Sequence, residues 1–454
     1  MKKKALLVLT CAMGLLFAAC GSDTEGAKDT TPTACVQATA EPEATPEPTA
    51  TPEPTATPKP TATPKPTATP KPTATPTPDI DWYQQMLENS VMSTGNNARV
   101  KKVLERARNG ETINIVTLGG SITEGGNAKP MSAGYAYLFA EAFGKTYGVN
   151  DGANINYVNA GLSGTPSSLG VMRYERDVVE ALGGEPDLFL IEYEVNDYGE
   201  VTRGRGYESM VYDVLSQDND AAVIMIFAVR DDMWNVQNEH VPIANHYDIP
   251  VVSVKSAVSP AITKKYMTKK EFFADEYHPN NHGHVIMKDC IMQLLDEIDK
   301  EAPEEMNAIP EAPKKGRDFS GTKMITALSE DVVIEAGSFT ATDKDIQKFQ
   351  VKGGLSFPEN WMHDGQTGND NFKMTLTCKN LLLNYKTGGS NFGKAEVYVD
   401  GILAMTVNGA GGWGNSNVVL LVDEKEAAEH TVEIRMAEGE EGKRFTIYAF
   451  GYTK

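Results

Sequence analysis

A serine hydroxyl is a useful nucleophile only when a base stands within hydrogen-bond reach and an acid holds that base in the right tautomer. Two short stretches supply these groups. Leu118-Gly119-Gly120-Ser121-Ile122-Thr123 ends an apolar run, and its glycines let the backbone turn and expose the Ser121 hydroxyl. Asp275-Glu276-Tyr277-His278-Pro279 offers an acid and a base three residues apart in one loop. Attack on a carbonyl then creates an oxyanion that needs donors already in place, each contributing about 2.7–4 kcal/mol. The backbone N–H groups of Ser121 and Gly164, the latter ending Asn159-Ala160-Gly161-Leu162-Ser163-Gly164, suit this role, as does the side-chain amide of Asn196 in Glu194-Val195-Asn196-Asp197. His278, His282 and His284 with Asp275 also look superficially like metal ligands. Against that, Asn280-Asn281-His282-Gly283 is what a loop entering a helix contains. The serine chemistry calls for no metal or cofactor.

The elements around these stretches alternate. Residues 113–118, 155–159, 188–193, 221–228 and 249–254 read as buried strands, and residues 82–108, 132–147, 167–182, 207–216 and 285–298 as helices. Such alternation implies a mainly parallel sheet covered on both faces. The chemical stretches fall at strand ends or before the last helix, where open parallel sheets place their sites. Beyond residue 318 the pattern is all-β. Residues 394–400 and 402–407 flank Asp400-Gly401, a hairpin signal, and residues 418–422, 431–436 and 445–452 are further strands. A C-terminal β-sandwich follows.

In their order and spacing the four blocks resemble the SGNH (GDSL-like) serine hydrolases over residues 81–300, through Ser121, Gly164, Asn196, and Asp275 with His278. The block Gly-Gly-Ser-Ile stands where the family name implies Gly-Asp-Ser-Leu, and Glu194 stands where Gly is common, so this is a divergent branch. The resemblance implies a three-layer α/β/α, flavodoxin-like catalytic domain and esterase activity through an acyl-enzyme. The appended β-sandwich is similar to modules found beside bacterial carbohydrate O-acetylesterases, which implies an acetylated polysaccharide such as xylan or mannan as substrate. Trp234, Trp361 and Trp413 are then candidates for stacking on sugar rings. Two alternatives stay open: a lipase or thioesterase of the same fold, and a non-catalytic surface lipoprotein that binds polysaccharide.

The formal net charge of −20 leaves no basic stripe for a nucleic-acid partner. Lys2, Lys3 and Lys4 precede an apolar run too short to span a bilayer, which reads as an export signal. Leu16-Phe17-Ala18-Ala19-Cys20 resembles a lipobox, with Cys20 as the acylated residue of a cell-surface lipoprotein. Most of the 25 prolines fall in residues 31–78, whose Pro-Thr-Ala-Thr-Pro-Lys repeats favour extended polyproline II. At on the order of 3 Å per residue this stalk would reach over roughly 100 Å. The expected organisation is a signal peptide over 1–20, a linker over 21–78, the catalytic domain over 79–302, a second linker over 303–318 and the β-sandwich over 319–454.

Overall fold

Side chains on a strand point alternately to opposite faces, and in the central strands of this protein both faces are apolar. The computed structural model describes residues 81–454; the expected signal peptide, the Cys20 acylation site and the Pro/Thr-rich stalk lie outside them. The first sheet contains β1 (Val91–Ser93), β2 (Ile113–Gly119), β3 (Ile155–Gly161), β4 (Leu188–Glu192), β5 (Ala222–Phe227) and β6 (Val251–Ser253), in the order β1-β6-β5-β4-β2-β3. β2 to β6 are parallel, and β1 is an antiparallel edge.

Ile115, Leu190 and Ile224 face one helical layer, while Val116, Phe189 and Val223 face the other. The helices are, in order, α1 (Trp82–Ser90), α2 (Ala98–Arg108), α3 (Ser121–Glu124), α4 (Tyr135–Tyr147), α5 (Ser167–Tyr174), α6 (Arg205–Leu215), α7 (Gln237–Tyr247), α8 (Val254–Thr263), α9 (Lys269–Phe272) and α10 (Asn281–Lys300). Residues of α1, α2, α4, α8 and α10 fill the first layer, and those of α5, α6 and α7 the second. The result is a three-layer α/β/α fold. Because the chain leaves β2 for β3 on one side and returns to β4 on the other, the crevice beyond these three strands is the topological switch point.

Two helices differ from the sequence reading. The stretch 82–108 is not one helix: β1 interrupts it, pairing Val91 with Val252 and Ser93 with Val251. Gly95 then turns the chain at φ 53°, with Asp248 O only 2.5 Å from where a Cβ would stand. The helix expected over 167–182 is α5 followed by a π-helical turn, Glu175–Glu180.

The C-terminal strands are β7 (Lys323–Ile325), β8 (Val333–Glu335), β9 (Trp361–His363), β10 (Phe372–Thr387), β11 (Lys394–Val399), β12 (Ile402–Asn408), β13 (Asn415–Met436) and β14 (Phe445–Thr453), all antiparallel in the appended β-sandwich. Asp400 and Gly401, both at positive φ, make the β11–β12 hairpin. The strands expected at 418–422 and 431–436 are one strand, β13. The polar stretch between them bulges out of the ladder: Asp423 pairs with Asn380 and Ala428 with Cys378, residues 424–427 stand opposite Lys379 alone, and residues 423–429 are exposed.

Trp361 is corrected here. On β9 it is only 6% exposed and packs on Phe372 and Phe450, at centroid distances of 5.3 and 6.1 Å, so it is a core residue and cannot stack on a sugar.

The module shares a core with the catalytic layer. Phe319, Phe357, Tyr448 and Leu382 belong to the same apolar cluster as Met172 and Tyr207. Residues 303–318 carry no helix or strand and lie against the α/β layer. There Glu208 accepts the backbone N–H groups of Lys314, Lys315 and Gly316. Arg205 on α6 makes a two-pronged bond to Asp423 of β13, at 2.8 and 2.9 Å.

Candidate active site

Ser121 is the first residue of α3, directly after β2. The two glycines before it are required by close approach. A Cβ on Gly119 would lie 2.5 Å from Glu192 O, and one on Gly120 would lie 2.3 Å from Asn196 Oδ1. Neither has the positive φ that a sharp turn would need.

Ser121 Oγ lies 2.8 Å from His278 Nε2. His278 Nδ1 is 2.9 and 3.0 Å from the two oxygens of Asp275. Asp275 Oδ1 also accepts the N–H groups of Tyr277 at 2.8 Å and His278 at 2.9 Å, and Asn127 Nδ2 donates to Oδ2 at 2.6 Å. Burial alone would raise the Asp275 carboxyl. The Tyr277 N–H, the His278 imidazole and the His278 N–H outweigh it and hold the group below its ordinary value, as an anion. The serine, imidazole and carboxylate therefore form one hydrogen-bonded chain.

Asn127 was not picked out from the sequence. It sits at φ 65° after Gly125-Gly126, and a Cβ on Gly126 would come 2.8 Å from His278 Cδ2. Two glycines and an asparagine just past a nucleophile block are the signal that could have found it.

Gly164 lies past the end of β3 at φ 70°, in the left-handed region that favours glycine. Asn196 follows β4, in a turn closed by its own N–H to Tyr193 O at 2.9 Å. Its buried Oδ1 has no hydrogen-bond partner among the described residues and lies against Gly120. Ser121, Gly164 and Asn196 thus each leave one of the three strands that border the switch point.

Beneath them is a buried polar layer that sequence reasoning missed. Arg173, wholly buried, donates to Ala160 O at 2.6 Å and Gly119 O at 3.1 Å, tying the ends of β3 and β2 together. Glu194 has its carboxyl 2.8 Å from His240 Nδ1, and His240 stacks on Tyr207 at 3.9 Å. Burial pushes the Glu194 carboxyl well above its ordinary value and lowers the His240 imidazole. Burial also pushes Asp197 up to about 7, against the pull of His240.

The remaining histidines each have their own partners. His282 Nδ1 is 3.0 Å from Glu271 O. His284 is buried, with Nδ1 accepting the Tyr135 N–H at 3.2 Å and Nε2 donating to Gly126 O at 3.0 Å.

Of the other two tryptophans, Trp413 is 62% exposed, and its ring lies 3.2 Å from where a Cβ on Gly164 would stand. Trp234 is half-buried beside a cleft of about 470 Å³, edge-on to Tyr198 at 5.6 Å and with the Arg230 guanidinium over its ring at 5.3 Å.

No protein-family model and no curated protein matches the sequence. Among solved structures, a two-domain esterase (CEX) active on acetylated mannans, co-crystallised with mannopentaose, aligns at 28% identity and TM-score 0.70, covering 81% of this chain and 98% of that one. A second structure of this two-domain esterase aligns at the same identity and TM-score, over 99% of its chain. A lipolytic G-D-S-L family protein from Veillonella parvula aligns over 40% of this chain and 97% of its own, at 18% identity and TM-score 0.31. With its α/β/α sheet, its ordered blocks and a likeness that spans both domains, this chain resembles the SGNH/GDSL-like hydrolases, with an appended β-sandwich. By class it is a carboxylic ester hydrolase.

Proposed function

We propose that this protein removes O-acetyl groups from a polysaccharide, an acetylated mannan first and an acetylated xylan next, with Ser121, His278 and Asp275 as its catalytic triad. The hydrogen-bonded chain from Ser121 Oγ through His278 to Asp275 carries the reading. In this reaction Ser121 Oγ attacks the acetyl carbonyl as its proton passes to His278 Nε2. The resulting oxyanion is held by the N–H groups of Ser121 and Gly164 and by the Asn196 amide. Collapse breaks the bond to the sugar oxygen, which takes the proton from His278. Water, deprotonated by the same imidazole, then releases acetate and restores Ser121. Asp275 remains an anion and stabilises the imidazolium.

Trp413 beside Gly164 and Trp234 beyond Asn196 suit the apolar faces of sugar rings. The mannan preference is supported by the two-domain esterase that aligns over both domains. Export, acylation at Cys20 and display on the stalk belong to the same proposal, since a surface esterase meets polymers that never enter the cell.

The test is Ser121→Ala in the full chain, with acetate release measured on acetylated mannan, acetylated xylan and an aryl acetate. All three should fall below about a thousandth of wild type with the melting temperature unchanged, given the losses seen when a triad member is removed. Retention of a few per cent activity by the folded variant would refute the assignment. An octanoyl ester cleaved as fast as an acetyl ester would favour the lipase alternative, because each misplaced methylene in a small pocket costs about 1–3 kcal/mol.

A further inference from the structure

The loop that carries Gly164 is held by three hydrogen bonds at Ser163. Ser163 donates both its N–H, at 3.0 Å, and its hydroxyl to Glu124 Oε2. Glu124 lies on α3, the helix that begins with Ser121, and is wholly buried. Its other oxygen, Oε1, accepts the N–H of Gln350 from the β-sandwich module at 2.6 Å. Two hydrogen bonds from the loop and one from the module therefore meet on one buried carboxylate. The third hold is Gln347 of the module, 6% exposed, whose Nε2 donates to Ser163 O at 2.7 Å.

That last bond reaches the reacting geometry directly. Ser163 C=O and Gly164 N–H belong to one planar trans peptide unit and point in opposite directions. Fixing the carbonyl toward Gln347 fixes the N–H away from the module. A rotation of this peptide plane changes ψ at Ser163, which has both extended and helical wells open to it, and φ at Gly164, which tolerates either sign, so the backbone itself resists it little. The restraint must come from outside the loop, and the side chain that provides it on Ser163 O belongs to the second domain.

We propose that Gln347, supported by the Glu124–Gln350 bond, is a positioning residue that holds the Ser163–Gly164 peptide with its N–H toward the oxyanion, so that the β-sandwich completes the esterase site. The inference rests on the reading of Gly164 as an oxyanion donor. It gives the module a part in turnover even for esters too small to touch it.

The experiment uses the full chain and p-nitrophenyl acetate, which has no sugar to contact the module. Gln347→Ala should lower kcat about 10- to 100-fold while KM stays within about twofold, since loss of an oxyanion donor costs about 10²–10³ in kcat and a misoriented one costs part of that. Gln347→Glu adds a readout that mere packing would not move. Its carboxyl can donate to Ser163 O when protonated and repels it when ionised, so the ratio of variant to wild-type kcat should rise several-fold as pH falls from about 8 to 5. An unchanged kcat in Gln347→Ala, or a flat pH ratio in Gln347→Glu, overturns the proposal. If Gln347→Ala folds poorly, the Gln347→Glu ratio decides alone. Failure of the site reading itself is distinguishable, because it would show as activity persisting in Ser121→Ala.

Discussion

His284 stands six residues past His278 and belongs to the same turn of sequence, yet its role is structural. Burial pulls its pKa down to about 4; the bond to the Gly126 carbonyl opposes the shift and the nearby His278 adds to it. Between pH 6.5 and 4 the unfolded chain therefore binds a proton that the folded chain refuses. The stability tied to this group is present above pH 6.5, is lost as pH falls toward 4, and amounts to roughly 3 kcal/mol. Glu192 works the other way: burial pushes it up to about 8, so its contribution fades as pH rises from 4.5 to 8. Comparing wild type with His284→Gln isolates the histidine. Urea unfolding free energies at pH 7, 6, 5 and 4.5 should fall less steeply with acid in the variant, and equal slopes would contradict the linkage. In the sequence His284 follows Asn280-Asn281-His282-Gly283, a run that suits a loop entering a helix. The sequence could not separate Trp361 from Trp413, since both have Gly, Asn or His nearby. What distinguishes them is that Trp361 lies on a paired strand with Phe372 and Phe450 around it, a tertiary fact.

At the scale of elements, the parallel strands and the order of the four blocks were legible because buried strands of an α/β sheet are continuous apolar runs. The break at β1 was not, since its pairing with β6 depends on a strand some 160 residues away. The long β13 was hidden for a different reason: residues 423–429 are exposed on both faces and bulge out of the ladder, so that part of the strand reads as a polar loop. The blocks also carried more packing information than their chemistry suggested. Gly161, the last residue of β3, is paired across from Gly119, and a Cβ on it would lie 2.3 Å from Glu124 N and 2.6 Å from Glu124 Cα. These are backbone atoms of α3, so relief requires the helix that bears Ser121 to move. Gly161→Ala should cost about 1–3 kcal/mol of stability, as overpacked cores do, and should lower kcat for an aryl acetate as well. Gly184→Ala, whose new methyl would meet only Asn114 Nδ2 at 3.8 Å, serves as the control. Thermal melts and initial rates of both variants check this; a stable and fully active Gly161→Ala protein would show that α3 has slack.

At the scale of the whole molecule, the composition of residues 303–318 reads as a tether between two separable domains, and a separable module should matter for a polymer while leaving small esters alone. The packing argues otherwise. The interface residues are apolar side chains of the kind any core contains, so nothing in the sequence distinguished those facing the catalytic layer from those inside the sandwich. Cutting the chain after Pro303 would remove Phe319, Phe357, Leu382 and Tyr448 from the cluster that covers Met172 and Tyr207. Each large side chain so buried contributes about 1.5–3 kcal/mol, against a total stability of only about 5–15 kcal/mol for a folded domain. The cut would also strip Glu208 of its three backbone donors and Arg205 of Asp423. Residues 79–303 expressed alone should therefore be insoluble, or soluble with a broad low-temperature melt, and should lose aryl acetate and polymer activity together. Solubility, melting and the two activities, measured side by side against the full chain, decide the matter. A stable fragment with wild-type kcat on the aryl acetate and a selective defect on acetylated mannan would mean that the module only gathers substrate. It would also count against Gln347 as a positioning residue, since that side chain leaves with the module.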